Sequence, residues 1–193
     1  MSHKLTGLFI ILLAACNPVS GPAKHQFGDR LAFLANPTNA TYRAITWEDL
    51  VPKGWQPMAD LDTNEIAGLV DSDPRAIEIL GQMREAWDKA PVVAELDGQT
   101  VRIAGFLVPL DAERNQVREF LLVPYFGACI HTPPPPANQT LHVVMDHPFE
   151  GSMMEAFWIS GRLSVARSDS PFGPAAYTLQ GRLAEAYKRP GQP

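Results

Sequence analysis

From residue 100 onward the chain alternates apolar and polar side chains at a period of two, and no helical crossover separates the runs. That pattern limits the fold more than any other feature, because period-two runs joined by short loops pair as neighbouring strands. Thr100 to Leu110 follows an Asp97-Gly98 turn, Glu119 to Phe126 follows a polar loop, and Thr140 to Met145 comes next. Ala156 to Arg167 alternates most cleanly. Phe157, Ile159, Gly161, Leu163 and Val165 lie on one side, with Ser160, Arg162 and Ser164 on the other. After the loop Ser170-Pro171-Phe172-Gly173-Pro174, the residues Tyr177, Leu179, Gly181 and Leu183 repeat the pattern. Five such strands with glycine in their interiors predict a small, strongly bent, antiparallel OB-like barrel. Gly105, Gly161 and Gly181 then mark bends or close backbone approach. A small open sheet covered by the N-terminal helices is the competing arrangement.

The first half carries helical signals instead, which makes the class α+β, with short helices ahead of the barrel. Thr46 to Asp49 resembles a capping box, with Asp49 in the place of the usual Glu or Gln. Trp47, Leu50, Val51 and Trp55 form a cluster that packs onto the domain as a lid. Residues 62–90 read as helix, in which Asp73 caps and Pro74 fits the first helical position. Ile77, Leu80, Met83, Arg84 and Trp87 recur at helical spacing, and Pro91 stops the run. Met83 and Trp87 read as a packing pair. At 193 residues and 46% hydrophobic composition the chain can bury one moderate core. A formal charge of −5 argues against a nucleic-acid partner held through phosphate contacts.

The N-terminus speaks to the compartment. Lys4 precedes the apolar run Leu8 to Leu13, and Leu13-Ala14-Ala15-Cys16 follows. The run is far shorter than the roughly 20 residues of a spanning helix, so it reads as an export signal. Small residues directly before a cysteine resemble a lipobox, with cleavage before Cys16 and acylation of its thiol. The expected organisation is a lipoprotein signal peptide at 1–15, a flexible tether at 16–43, one globular domain at 44–187 and a tail at 188–193. His25 falls in the tether. Acylation of Cys16 leaves Cys129 as a single thiol in an oxidising compartment.

That thiol sits in FGACIHTPPPPANQ, residues 126–139. Side chains at i and i+2 of a strand share a face, which places Cys129 and His131 together. If residues 132–139 close a symmetric hairpin, His131 lies opposite Thr140 and Cys129 opposite His142. Asp146 and His147 then approach from the end of the same strand. Sulfur and imidazole ligands suit zinc or reduced copper, so Cys129, His131 and His142 are the candidate metal ligands. A buried, inert Cys129 and a backbone-bonded His131 form the bland alternative. A thiol enzyme would use Cys129 as nucleophile, His131 or His142 as base and Asp146 as orienter. No nucleophile elbow, phosphate-cradling loop, paired-carboxylate motif or dinucleotide fingerprint accompanies them, and the residues point to a non-enzymatic protein. Pro133, Pro134, Pro135 and Pro136 read as a rigid hairpin loop, or as a polyproline ligand for a partner groove together with Asn138 and Gln139.

Three stretches carry a family resemblance: Ile45-Thr46-Trp47-Glu48-Asp49-Leu50, Gly105-Phe106-Leu107-Val108-Pro109-Leu110, and the run from Phe120 to Gln139. Over roughly residues 45–185 the chain resembles a domain-of-unknown-function family of bacterial envelope lipoproteins with the signature FLLVPYFGACIHTPPPPANQ. The resemblance implies genes beside ABC-transporter components and periplasmic metal-binding proteins, and a role in envelope transport or zinc homeostasis. Asn17 after Cys16 resembles the sorting pattern of outer-membrane lipoproteins. The expected protein is therefore a lipid-anchored, periplasm-facing accessory of a transport or metal-homeostasis system, binding zinc through Cys129 and His131. Two alternatives stay open. One is a metal-free interaction module using the Pro133–Pro136 loop or the barrel groove, and the other is the thiol enzyme.

Overall fold

The computed structural model describes residues 41–57, 68–70, 72–113, 116–129 and 134–188. Strand β1 (Arg43–Ala44) is followed by a 3-10 turn at Glu48–Leu50, helix α1 (Pro74–Asp88) and a second 3-10 turn at Ala94–Leu96. Next come β2 (Thr100–Pro109), β3 (Ala112–Glu113), β4 (Gln116–Val123) and a third 3-10 turn at Ala137–Gln139. The chain continues through β5 (Leu141–Glu150), β6 (Ala156–Ser164), β7 (Ser168–Ser170), β8 (Gly173–Ala175) and β9 (Tyr177–Ala186).

Five strands close into a barrel in the order β2, β4, β5, β9, β6 and back to β2. The β2–β4 pairing, from Phe106 opposite Val123 to Pro109 opposite Phe120, closes the ring and sets aside the open sheet. The barrel is mixed and not purely antiparallel as expected, because β5 and β9 run parallel, from Leu141 beside Tyr177 to Met145 beside Gly181. The cause is topological. A tight connection reverses β6 relative to β5, and β9 slots between them antiparallel to β6, so it must run parallel to β5. One edge of β2 serves two strands, with β1 pairing at Val101 and Arg102 and β4 further along.

The barrel interior is packed with Val101, Ile103, Phe120, Leu122, Val143 and Ile159, and one end is sealed by Ile45, Trp47, Leu50 and Leu96. Each large apolar side chain taken fully from water adds about 1.5–3 kcal/mol. A second, smaller core lies apart from the first. Phe106, Val108, Leu121, Val123, Phe126, Ala128, Ala156 and Ala175 form it. Residues 101–108 of β2 are all buried because the strand faces both cores.

Two of the helix-start expectations hold in atomic detail. Asp49 N donates to Thr46 Oγ1 at 3.0 Å and Thr46 N donates to Asp49 Oδ2 at 2.8 Å, the reciprocal bonds of a capping box. Asp73 accepts from Arg75 N at 2.8 Å, with Pro74 opening α1. The extent of helix differs from the expectation. Among the described residues α1 is the one α-helix, and it is shorter than 62–90; residues 62–67 and 71 lie outside the described residues. Its buried face also differs, since Ile79 is buried while Ile77 and Leu80 stay exposed.

Glycine in the strands does mark close approach. A Cβ at Gly161 would run into the Gln180 carbonyl, and one at Gly105 would sit 2.6 Å from Leu122 Cγ. The sheet register shifts between Ser160 and Gly161, so the bend and the contact coincide.

Candidate functional site

Strand β4 ends at Val123, and the chain then turns through Tyr125 to Cys129. Gly127 has φ of 80° and Cys129 has φ of 66°. Gly127 adopts the left-handed region freely, whereas a side-chain-bearing residue there carries roughly 1–2 kcal/mol of strain. Cys129 is free and half-buried, resting on the second core beside Phe126 and Ala128. Burial pushes its thiol up from 9.0 to about 11, so the sulfur is protonated at neutral pH.

The symmetric hairpin expected around the proline run is not the observed one. His142 lies opposite Leu121 of β4 on one side and Thr178 of β9 on the other, so the Cys129–His142 pairing is not made. The left-handed turn at Cys129 also replaces the extended strand on which the shared face with His131 was argued. His131, with Ile130, Thr132 and Pro133, lies outside the described residues, as do Cys16, the segment expected to be the leader and residues 189–193 of the expected tail. His142 is half-buried, and its Nε2 sits 2.8 Å from Glu119 Oε1. Among the described residues no group of three or more His, Cys, Asp and Glu is placed to hold a metal ion.

Asp146 is engaged with β9 rather than with a histidine. It accepts from Gln180 Nε2 at 3.2 Å and lies 3.8 Å from Arg182 Nε. The pairing of β4 with β5 breaks between Val117 and Glu119, which lets residues 145–148 bulge, and His147 is exposed there.

The end of the signature is built into the fold. Asn138 and Gln139 are buried. Gln139 Nε2 donates to the Trp47 carbonyl at 2.6 Å, and Asn138 Nδ2 donates to the Pro91 carbonyl at 2.9 Å. Of the prolines described, Pro134 is exposed, Pro135 buried and Pro136 half-buried. The loop does not stand free, because Ala176 N donates to the Ala137 carbonyl at 2.8 Å and ties it to the end of the β7–β8 hairpin.

One cluster went unnoticed in the sequence. The Arg102 guanidinium lies 4.7 Å from the Trp158 ring and 3.2 Å from Glu185 Oε2, with 8% of its side chain exposed. Its Nε and the Oγ of Ser160, the residue directly opposite, are both buried without a hydrogen-bond partner. An arginine inside the apolar run TVRIAGF was the available signal.

These sites lie within one recognisable unit. A family model described as "Protein of unknown function (DUF3299)" matches residues 47–186. The chain belongs to the DUF3299 family. A crystal structure of a DUF3299 family protein from Pseudomonas aeruginosa PAO1 shares 35% sequence identity and superposes with a TM-score of 0.61. The match covers 78% of this chain and 99% of that one. No curated protein matches. The DUF3299 match runs from the lid residue Trp47 to the last residue of β9, and so takes in the second core, all of the first but Ile45, Cys129 and His142. Among the described residues no helix is long and apolar enough to cross a membrane.

Proposed function

We propose that this DUF3299 chain is a non-enzymatic binding module tethered through acylated Cys16, facing the periplasm from the outer membrane. In this reading it serves an envelope transport or metal-homeostasis system, alongside an ABC-transporter component or a periplasmic metal-binding protein. Cys129 and His131 would be its zinc ligands. The barrel order supports a binding scaffold. Counted along the chain, its strands neighbour one another as first, second, third, fifth, fourth, which is an OB-like arrangement, and such barrels bind ligands on their second and third strands and adjoining loops.

The observation that carries the reading is Cys129 itself, a non-glycine residue held left-handed with its sulfur on the rim of a core. Strain of this kind persists where the surroundings over-determine it, and it concentrates at sites of function. The proton held up to about 11 disfavours a nucleophile at neutral pH, and a zinc ion at this site has to displace it. His142 adds support as a third ligand. With Nε2 facing Glu119 its Nδ1 is left to act, as in histidines whose second nitrogen is oriented by a carboxylate.

Zinc stoichiometry decides it, measured by elemental analysis on the chain carrying Cys16→Ser beside Cys129→Ser, His131→Ala and His142→Ala variants. The expected content is about one zinc per chain, lost in Cys129→Ser and His131→Ala. Equal content in all four proteins removes the metal claim. The interaction-module reading is favoured by one feature, the exposed Pro134 packed beside Gly173. It requires Pro134→Ala and Pro135→Ala to weaken partner capture with zinc content unchanged.

A further inference from the structure

The barrel wall is not paired along its whole length. Strand β9 pairs β6 as far as Ala186 beside Phe157, but it pairs β5 only from Tyr177 to Gly181. Past Gly181 the two parallel strands part, because β5 bulges at residues 145–148 and returns to β4 at Phe149 and Glu150. The far half of β9, residues 182–186, therefore borders an opening. Ala184 is half-buried there, and Arg182, Leu183, Glu185 and Ala186 are exposed.

Backbone parity shows which groups line that opening. Tyr187 N donates to the Ala156 carbonyl at 2.8 Å. In an antiparallel ladder such bonds recur at every second pair, so Glu185 and Leu183 bond with Trp158 and Ser160 of β6. The N–H and C=O groups of Ala184 and Ala186 then point the other way, across the opening. Among the described residues no hydrogen bond reaches them on that side. The facing stretch of β5 carries Pro148, which has no N–H to offer.

We propose that this edge of β9 takes up an extended peptide segment of a partner protein as an added antiparallel strand. Donors and acceptors repeating two residues apart on an exposed edge match the backbone of a strand. Residues opposite each other across such a pair share a face, and this sets the side chains the segment needs. Those opposite Ala184 and Ala186 turn toward the barrel end where half-buried Ala184 and Phe149 pack on the main core, and are apolar. The residue between them lies opposite exposed Glu185 and is basic, and the next faces Leu183 and is apolar. A second copy matches poorly. A two-fold axis at Ala184 sets Leu183 against Glu185 of the other copy, and an axis at Glu185 sets two carboxylates together. So short an added strand binds weakly, with Kd on the order of 100 µM.

Amide exchange followed by NMR on the full chain with Cys16→Ser tests this, with acetyl-Thr-Val-Lys-Val-Leu-Thr-amide as the probe. Without peptide, the Leu183 and Glu185 amides should be protected, and those of Ala184 and Ala186 should exchange freely. At about 1 mM peptide the protection of Ala184 and Ala186 should rise about tenfold, as that Kd dictates. The same peptide N-methylated at both valines lacks the donors that face β9 and should give no protection. Ala186→Pro removes an N–H that the β6 ladder does not use, so it should abolish peptide binding with the circular dichroism spectrum unchanged. The proposal is overturned if Ala184 and Ala186 are protected from the start, if peptide adds nothing, or if the N-methylated peptide protects equally. Protection that grows with protein concentration alone assigns the edge to a second copy and overturns it too. None of these outcomes depends on zinc.

Discussion

The Tyr177 hydroxyl joins three segments at one atom. It accepts from the Val93 N–H at 2.7 Å and donates to the Leu50 carbonyl at 2.7 Å, while the residue is fully buried. Tyr177→Phe keeps the ring and leaves two backbone groups without their partner, at about 1–3 kcal/mol for each buried group. Urea unfolding should therefore show a lower midpoint, equivalent to about 2–4 kcal/mol, at an unchanged m-value. A loss near zero would mean that water satisfies both groups and that the hydroxyl is no clamp. Proton release tests the same residue and Cys129 together. Burial raises both groups, the thiol from 9.0 to about 11 and the phenol above 10.0, with the Val93 bond pulling the phenol back. The folded state holds each proton more tightly than the unfolded chain does. Stability from the thiol is thus fully present below pH 9.0 and falls as pH rises toward about 11. Stability from the phenol begins to fall above pH 10.0. Urea midpoints measured across this window should decline in the parent, and Cys129→Ser should flatten the early part of the decline. Neither role could be read in advance. Tyr177 looks like one more alternating strand residue, since its partners Val93 and Leu50 lie far back along the chain, and the left-handed turn at Cys129 contradicts its intrinsic preference.

At the scale of the element, glycines distinguish contacts that yield from contacts that do not. A Cβ at Gly161 meets the backbone of Gln180 and Gly181, which the β6–β9 ladder holds in place. A Cβ at Gly181 meets Met145 Sδ and Cε, part of a flexible side chain. Gly161→Ala should therefore cost about 2–3 kcal/mol and Gly181→Ala about 1 kcal/mol in the same unfolding experiment. The reverse order would show that β9 moves more readily than the Met145 side chain. The five barrel strands were legible because the period-two signal is local, and so were both helix starts, since Thr46 and Asp49, like Asp73 and Pro74, are neighbours in sequence. The parallel β5–β9 pair was not, because no local pattern records which strand inserts between which. Helix α1 misled for a related reason. Of the expected stripe Ile77, Leu80, Met83, Arg84 and Trp87, only Met83 and Trp87 turn inward, and the packed domain completes that face with Ile79.

For the molecule as a whole, residues 134–140 act as a clasp between parts that lie far apart in sequence. Gln139 holds the lid at Trp47, Asn138 holds the exit of α1 at Pro91, and Ala137 holds the strand-side loop at Ala176. Trp47 in turn donates its Nε1 proton to the Ala104 carbonyl of β2 at 2.7 Å. The stretch that reads in sequence as a rigid hairpin loop, or as a ligand for a partner groove, is thus largely an internal fastening over its described residues, and its buried amide side chains look like loop residues only while their distant acceptors are unknown. If the clasp is a separate unit of stability, Gln139→Ala should free the lid without loosening the barrel. Native-state hydrogen exchange measures that difference residue by residue. The Ile45 amide, bonded to the Arg102 carbonyl, and the Leu50 amide, bonded to the Trp47 carbonyl, should lose about 10- to 100-fold of their protection. Amides within the β6–β9 ladder should keep theirs, because the closed ring contributes its own hydrogen bonds and core. If amides of that ladder instead lose protection in step with Ile45, lid and barrel open together, and Gln139 belongs to a single cooperative unit rather than to a latch on its surface.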